Sequence, residues 1–107
     1  MTRRIFCLGD SNTYGYDPRG VFGGRYPTEE RWPERLAAQT GWTVLNFGQN
    51  GRMIPRGGFA QTHLIDTICR AQPLDLVVIM LGSNDVLTAF EPDADDLCAR
   101  MGAFLSA

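Results

Sequence analysis

A chain of 107 residues with 44% hydrophobic and 21% charged side chains has room for one globular domain and an ordinary soluble composition. Its net charge of −2 gives no general field for nucleic acid or an anionic membrane. No apolar stretch approaches the ~18 residues of a membrane span, and the run after Arg3-Arg4 is shorter than the ~7–15 residues of a secretory h-region.

The first element is a strand over Arg4 to Leu8. It is apolar without alternation, so it is expected to be buried on both faces, as in a parallel sheet. Gly9-Asp10-Ser11-Asn12 follows at its end. Residues 13 to 31 then read as a long irregular stretch, broken by Gly15, Pro18, Gly20, Gly23, Gly24 and Pro27. A loop of that length is either a surface connector or a functional wall beside whatever the first strand presents.

A first helix is predicted over Trp32 to Thr40. Pro33 suits its first turn and Gly41 its C′ position, while Trp32, Leu36 and Ala37 form an apolar face. A short strand, Thr43 to Phe47, breaks at Gly48. A glycine-rich loop to Gly58 leads to a second helix over Phe59 to Ala71, closed off by Pro73. Its inner stripe is Ala60, Leu64, Ile65, Ile68 and Cys69 at helical spacing. Leu76 to Leu81 is the strongest strand signal, followed by Gly82-Ser83-Asn84-Asp85. Asp93 caps a last helix, with Asp95 and Asp96 in its first turn and Leu97, Met101, Phe104 and Leu105 as its buried side.

Strand–helix alternation of this kind means an α/β fold with a parallel sheet, and residues 1–107 read as part of a single domain. Function in such sheets gathers beyond the carboxyl ends of the strands. Three cysteines are an odd number; Cys7, Cys69 and Cys98 read as small buried hydrophobes in a reducing compartment. Their scatter argues against a zinc site, and a cytoplasmic setting is expected.

Ser11, delivered by a buried strand to the rim of the sheet, is a candidate nucleophile with a backbone N–H that could face a developing oxyanion. The same residue could equally be a helix cap or part of a phosphate-cradling loop. Asn84, at a neighbouring strand end, offers an amide donor to the same oxyanion. Gly51 offers a backbone N–H unshielded by a side chain, or is simply a turn glycine.

Gly9-Asp10-Ser11-Asn12, Asn46-Phe47-Gly48-Gln49-Asn50-Gly51 and Gly82-Ser83-Asn84-Asp85 resemble, in order and spacing, the first three sequence blocks of the SGNH (GDSL-type) hydrolases. Leu74 to Phe90 is particularly similar to the arylesterase and acyltransferase branch. The resemblance implies a three-layer, flavodoxin-like fold ending here after the third strand and its following helix. It implies that Ser11 is the nucleophile, that Gly51 and Asn84 complete an oxyanion hole with the Ser11 N–H, and that Asp10 and Asp85 support the two loops. The implied reaction is acyl transfer from a small-molecule ester to Ser11, then hydrolysis or transfer to another acceptor. No metal, organic cofactor, nucleic acid or membrane is implied.

The family's fourth block, Asp-x-x-His with the general base, has no counterpart in these residues. The one histidine, His63, falls by helical phase on the polar side of the second helix with Asp66, Thr67 and Arg70, so a solvated role is expected. Weak or absent turnover is the consequence. The open edge of the third strand is expected to pair with a second copy or a complementing C-terminal segment. Two rival readings are a non-catalytic remnant that keeps a ligand pocket, and a flavodoxin-like phosphate or flavin binder; the latter leaves Gly82 to Asp85 unexplained. Tyr14, Tyr16, Phe22, Met53 and Ile54 are candidate pocket residues, and Arg52 and Arg56 are expected to be solvated rather than to meet an anionic substrate.

Overall fold

The structure is a computed structural model that describes residues 2–20, 24–89 and 91–107. Among them lie three strands, β1 (Arg4–Gly9), β2 (Thr43–Gly48) and β3 (Leu76–Met80), and five α-helices. The helices are α1 (Ser11–Tyr14), α2 (Trp32–Thr40), α3 (Gly57–Arg70), α4 (Ser83–Thr88) and α5 (Ala94–Ser106). The strands form one parallel sheet in the order β2-β1-β3. Two compact units divide the chain. One comprises the residues up to Arg52 together with Pro73–Met80; the other comprises Met53–Gln72 and Leu81–Ala107.

The first unit is built on β1. It is the middle strand of the sheet, and Ile5, Phe6, Cys7 and Leu8 are all buried, so its uninterrupted apolar run is that of a strand covered on both faces. Leu8 pairs with Phe47 and with Ile79 on its two sides. The Phe6 and Phe47 rings stack with centroids 4.3 Å apart, a diagonal cross-strand contact that joins β1 to β2. Asp75 fixes the start of β3: its carboxylate accepts the Arg4 N–H at 2.8 Å, and its own N–H donates to the Arg4 carbonyl at 2.8 Å. Arg4 also donates from Nε to the Pro73 carbonyl at 2.7 Å. Among the described residues β3, like β2, lies at an edge of the sheet, and Leu76 and Met80 on it are about half exposed.

α2 forms over the predicted residues. Pro33 sits in its first turn and Gly41 ends it in the left-handed conformation, donating to the Ala37 carbonyl. The stretch predicted as an irregular connector, residues 13 to 31, is more ordered than expected. Thr13 and Tyr14 complete the helical turn begun at Ser11, Thr28–Glu30 is a 3-10 turn, and Tyr16 and Arg25 pair as an antiparallel bridge.

The second unit holds α3, α4 and α5. Asp93 caps α5 as expected, accepting from the Asp95 and Asp96 N–H groups. Leu64 is buried on α3 and Phe104 on α5. Two expectations fail here. Leu105 is 63% exposed, and Cys69 and Cys98 are exposed rather than buried. Helical phase marks a residue as facing inward, but the width of the covered stripe depends on what packs against it, and Cys69 lies at the stripe's margin.

Cys7 does follow its expectation. Burial, reinforced by the negative charge of Glu34, pushes its thiol up to about 11. The folded thiol therefore keeps its proton through the range above pH 9.0 in which an unfolded one ionises, so this residue withdraws stability as pH rises from 9.0 toward 11. At neutral pH an aromatic disulfide reagent is predicted to label Cys69 and Cys98 within minutes, and Cys7 only after denaturation. Rapid labelling of all three in the native chain would contradict the placement of Cys7.

Candidate active site

Ser11 is the first residue of α1, immediately past the end of β1. The fully buried carboxylate of Asp10 caps that turn, accepting the Asn12 N–H at 3.0 Å, while its carbonyl accepts the N–H groups of Thr13 and Tyr14. Asp10 therefore supports the Ser11 turn through local hydrogen bonds.

The end of β2 holds the same turn from the other side. The Asn46 amide donates to the Thr13 carbonyl at 2.9 Å and to Glu34 Oε1 at 3.0 Å, and its oxygen accepts the Gly48 N–H at 2.9 Å. Gly48 must be glycine for space. A Cβ there would stand 2.1 Å from the Tyr14 nitrogen and 2.7 Å from the Thr13 carbonyl carbon, both backbone atoms with nowhere to move. Neither Asn46 nor Glu34 stood out in the sequence as a determinant of this turn. Their signal was the asparagine opening the second motif.

Beyond Gly48 the chain turns back over the end of β1. The Gln49 N–H donates to the Gly9 carbonyl at 3.1 Å, and Arg52 Nε reaches the same carbonyl at 3.1 Å. Arg52 also donates to Gln49 Oε1. It is not the solvated side chain expected from sequence: it is half-buried, and burial lowers its basicity. Gly51 sits in this turn with φ +78° and open space where a Cβ would be, so backbone conformation rather than crowding selects glycine. The Gly48 N–H is committed to Asn46. Neither Gly51 N–H nor Ser11 N–H has a hydrogen-bond partner among the described residues.

Ser11 opens onto a cleft of about 440 Å³. Tyr16, Pro18, Tyr26 and Trp32 give it ring-bearing walls, and Glu30 and Arg31 add charge. Arg31 is fixed by a 2.9 Å hydrogen bond from Nε to the Tyr26 carbonyl. Of the expected pocket residues, Tyr16 lines this cleft. Tyr14 instead lies under the Arg25 guanidinium, 4.0 Å from ring centre to Cζ. Phe22 lies outside the described residues.

The remaining expected residues belong to the second unit. Asn84 is in the first turn of α4, half-buried, and its carbonyl accepts the Thr88 hydroxyl at 2.6 Å. Asp85 is buried and accepts the Ile54 N–H at 3.0 Å and an Arg100 Nη1 hydrogen at 2.6 Å. Arg100 Nη1 also donates to the Ile54 carbonyl at 3.0 Å. The Asp85–Arg100 pair thus satisfies both polar groups of Ile54, and the Asp85 hydrogen bond helps keep Arg100 charged beyond its ordinary range. Ile54 is consequently a buried anchor rather than a pocket wall. Met53 is half-buried, and Arg56 is exposed. His63 is exposed on α3, as its phase implied, with its carbonyl accepting the Thr67 hydroxyl. Among the described residues no group of His, Cys, Asp or Glu side chains is placed to hold a metal ion, and no helix is long and apolar enough to cross a membrane.

The pattern of the GDSL-like lipase/acylhydrolase family matches residues 7–106. The chain belongs to this family. Among solved structures it is similar to a carbohydrate acetylesterase family member from Sinorhizobium meliloti, at 30% identity and a TM-score of 0.83, over 98% of this chain and 53% of that one. It is similar to the aryl esterase of M. smegmatis at 30% identity and a TM-score of 0.81, over 98% and 54% of the two chains. AlinE4, an SGNH-hydrolase family esterase, shares the fold at 22% identity and a TM-score of 0.71, over 99% of this chain and 52% of that one. This GDSL-family chain therefore spans about half the length of these structures, and its parallel sheet matches the N-terminal half of the SGNH fold. Among curated proteins none matches.

Asn46→Ala is predicted to lower stability by about 1–3 kcal/mol, because the Thr13 carbonyl and the Gly48 N–H lose their partner where water reaches them poorly. Urea unfolding checks this. A midpoint unchanged from the parent chain would show that the amide does not hold the Ser11 turn.

Proposed function

We propose that this chain carries the nucleophile and oxyanion-binding residues of a serine ester hydrolase of the carboxylesterase, arylesterase or acyltransferase type. The observation that carries this reading is the placement of Ser11. It stands at the end of the central buried strand, on a turn capped by Asp10 and braced by Asn46, and it opens onto a ring-lined cleft.

In this reading Ser11 Oγ attacks the ester carbonyl carbon. The carbonyl oxygen takes up the negative charge and is held by the N–H groups of Ser11 and Gly51 and by the Asn84 amide. Two observations within the first unit support the backbone donors: both N–H groups lack a hydrogen-bond partner among the described residues, and the Gly51 turn is tied to Gly9, two residues before Ser11. Asn84 takes its role from the family motif. Collapse of the tetrahedral intermediate expels the alcohol and leaves an acyl group on Ser11. Water or a second acceptor then removes it. Preorganised donors of this kind are worth about 3–4 kcal/mol each in the transition state. Asp10 and Asp85 hold their loops and take no proton.

The attacking hydroxyl needs a base to receive its proton, and a general base contributes roughly 10²–10⁴-fold. His63, exposed on α3, is assigned no part in this. Turnover by residues 1–107 is accordingly weak, since the oxyanion donors act without the base. The same observation favours a second reading, a ligand-binding module that keeps the cleft without turnover. Unpaired cysteines support a cytoplasmic setting.

Release of p-nitrophenol from p-nitrophenyl acetate tests the first reading against the second. The chain is predicted to hydrolyse the ester slowly, and imidazole in solution to raise the rate above the Ser11→Ala background by at least about tenfold. Asn84→Ala is predicted to lower the imidazole-supported rate by about 10²-fold. Equal release by the parent chain and Ser11→Ala, with and without imidazole, would overturn the hydrolase reading and leave the binding module.

A further inference from the structure

The first unit buries one carboxylate that plays no part in the proposed acyl transfer. Asp17 is fully buried. Its Oδ1 accepts the Arg19 backbone N–H at 2.9 Å and Arg19 Nε at 3.0 Å, and its Oδ2 accepts Arg19 Nη2 at 3.1 Å. An ionised carboxylate taken out of water needs such partners. Here they come from a single residue two positions on, whose own side chain is two-thirds exposed. The arrangement closes a loop on itself rather than joining distant elements.

That loop is a wall of the Ser11 cleft. The residues on either side of Asp17, Tyr16 and Pro18, both line the cleft, and so does Tyr26. The wall is a clasp of two arms. Tyr16 bridges Arg25, the Asp17 N–H donates to the Gly24 carbonyl at 2.9 Å, and the Tyr26 N–H donates to the Gly15 carbonyl at 2.7 Å. The Gly20 N–H returns to the Asp17 carbonyl at 3.1 Å. The Arg19 guanidinium, oriented by the Asp17 carboxylate, stands over the Tyr26 ring with Cζ 5.7 Å from its centre. The Asp17 carboxylate thus holds Arg19, which follows Pro18 and stands over the Tyr26 ring, while backbone hydrogen bonds beside Tyr16 and Tyr26 join the two arms.

We propose that Asp17 is a positioning residue: acting through Arg19, it fixes Tyr16, Pro18 and Tyr26 and so sets which ring-bearing ester group the Ser11 cleft accepts. The inference rests on the reading of Ser11 as the catalytic serine for its ester chemistry, and on geometry alone for its binding part. Asp17 touches no substrate in this role. The carboxylate is specific to it. In Asp17→Asn the amide nitrogen would face the Arg19 Nη2 donor, replacing an ion pair with two opposed donors.

Acetanilide, a non-hydrolysable counterpart of phenyl acetate, probes the cleft without needing turnover. Its Kd is read from the indole N–H resonance of Trp32, in the parent chain, Asp17→Asn, Arg19→Gln and the double variant, with circular dichroism checking that each is folded. The expected result is a Kd raised at least about threefold in each single variant and no further in the double, because the two residues act as one unit. Arg19→Gln changes an exposed side chain, so it keeps the test open if Asp17→Asn fails to fold. Additive effects, equal Kd values in all folded chains, or no perturbation of Trp32 by acetanilide in the parent chain would overturn the proposal. Absence of Ser11-dependent ester hydrolysis alongside a non-additive Kd pattern would sink the hydrolase reading and leave Asp17 as the organiser of a ligand cleft.

Discussion

The carboxamide of Asn46 holds three pieces of chain at one point. It donates to the Thr13 carbonyl in α1 and to Glu34 in α2, and it accepts the Gly48 N–H at the end of β2. A carboxamide suits this task because it offers two donor hydrogens and an acceptor on one rigid plane. The short helix that begins at Ser11 has too few residues to be stable alone. It persists because Asp10 caps it on one side and Asn46 braces it on the other, with Gly48 letting the two backbones touch. The position of the serine hydroxyl is therefore a property of the sheet's end and not of the helix that carries it.

The second unit solves a similar problem with charge. Asp85 and Arg100 share the peptide groups of Ile54, so a buried carboxylate, a largely buried guanidinium and a buried backbone segment satisfy one another. A pair of this kind is a poor source of net stability but a strong determinant of which segments meet, since removing either partner strands the other. The motif aspartate after Asn84 thus has a visible structural task.

Much of this was legible in the residues. Continuous apolar runs located β1 and β3, and the short stretch broken by Gly48 located β2. Pro33 and Gly41 bounded α2, and Asp93 marked the start of α5. Ser11 and Asn84 drew notice as polar residues at glycine-bearing strand ends, and the family resemblance is what joined them with Gly51 into one candidate set. Ties between residues far apart in sequence were not legible. Asn46 and Thr13 are separated by 33 positions and Arg100 and Ile54 by 46, and no local pattern announces such partners. The stretch after Ser11 is ordered by backbone pairing and holds a buried Asp17, whose neighbours in sequence look like loop residues. α1 and α4 are too short to show a helical period. The exposure of Cys69, Cys98 and Leu105 follows from which surfaces are covered, which helical phase does not specify.

A fluorophosphonate offers the most direct measurement, because it reacts covalently with an activated serine and leaves a mass that can be located. The chain would be treated with the reagent in the presence of imidazole, weighed intact, digested and mapped. A single adduct on the peptide carrying Ser11, absent from Ser11→Ala, is the result predicted for a nucleophile held at an oxyanion site. An unmodified chain, or an adduct that persists in Ser11→Ala, would contradict it.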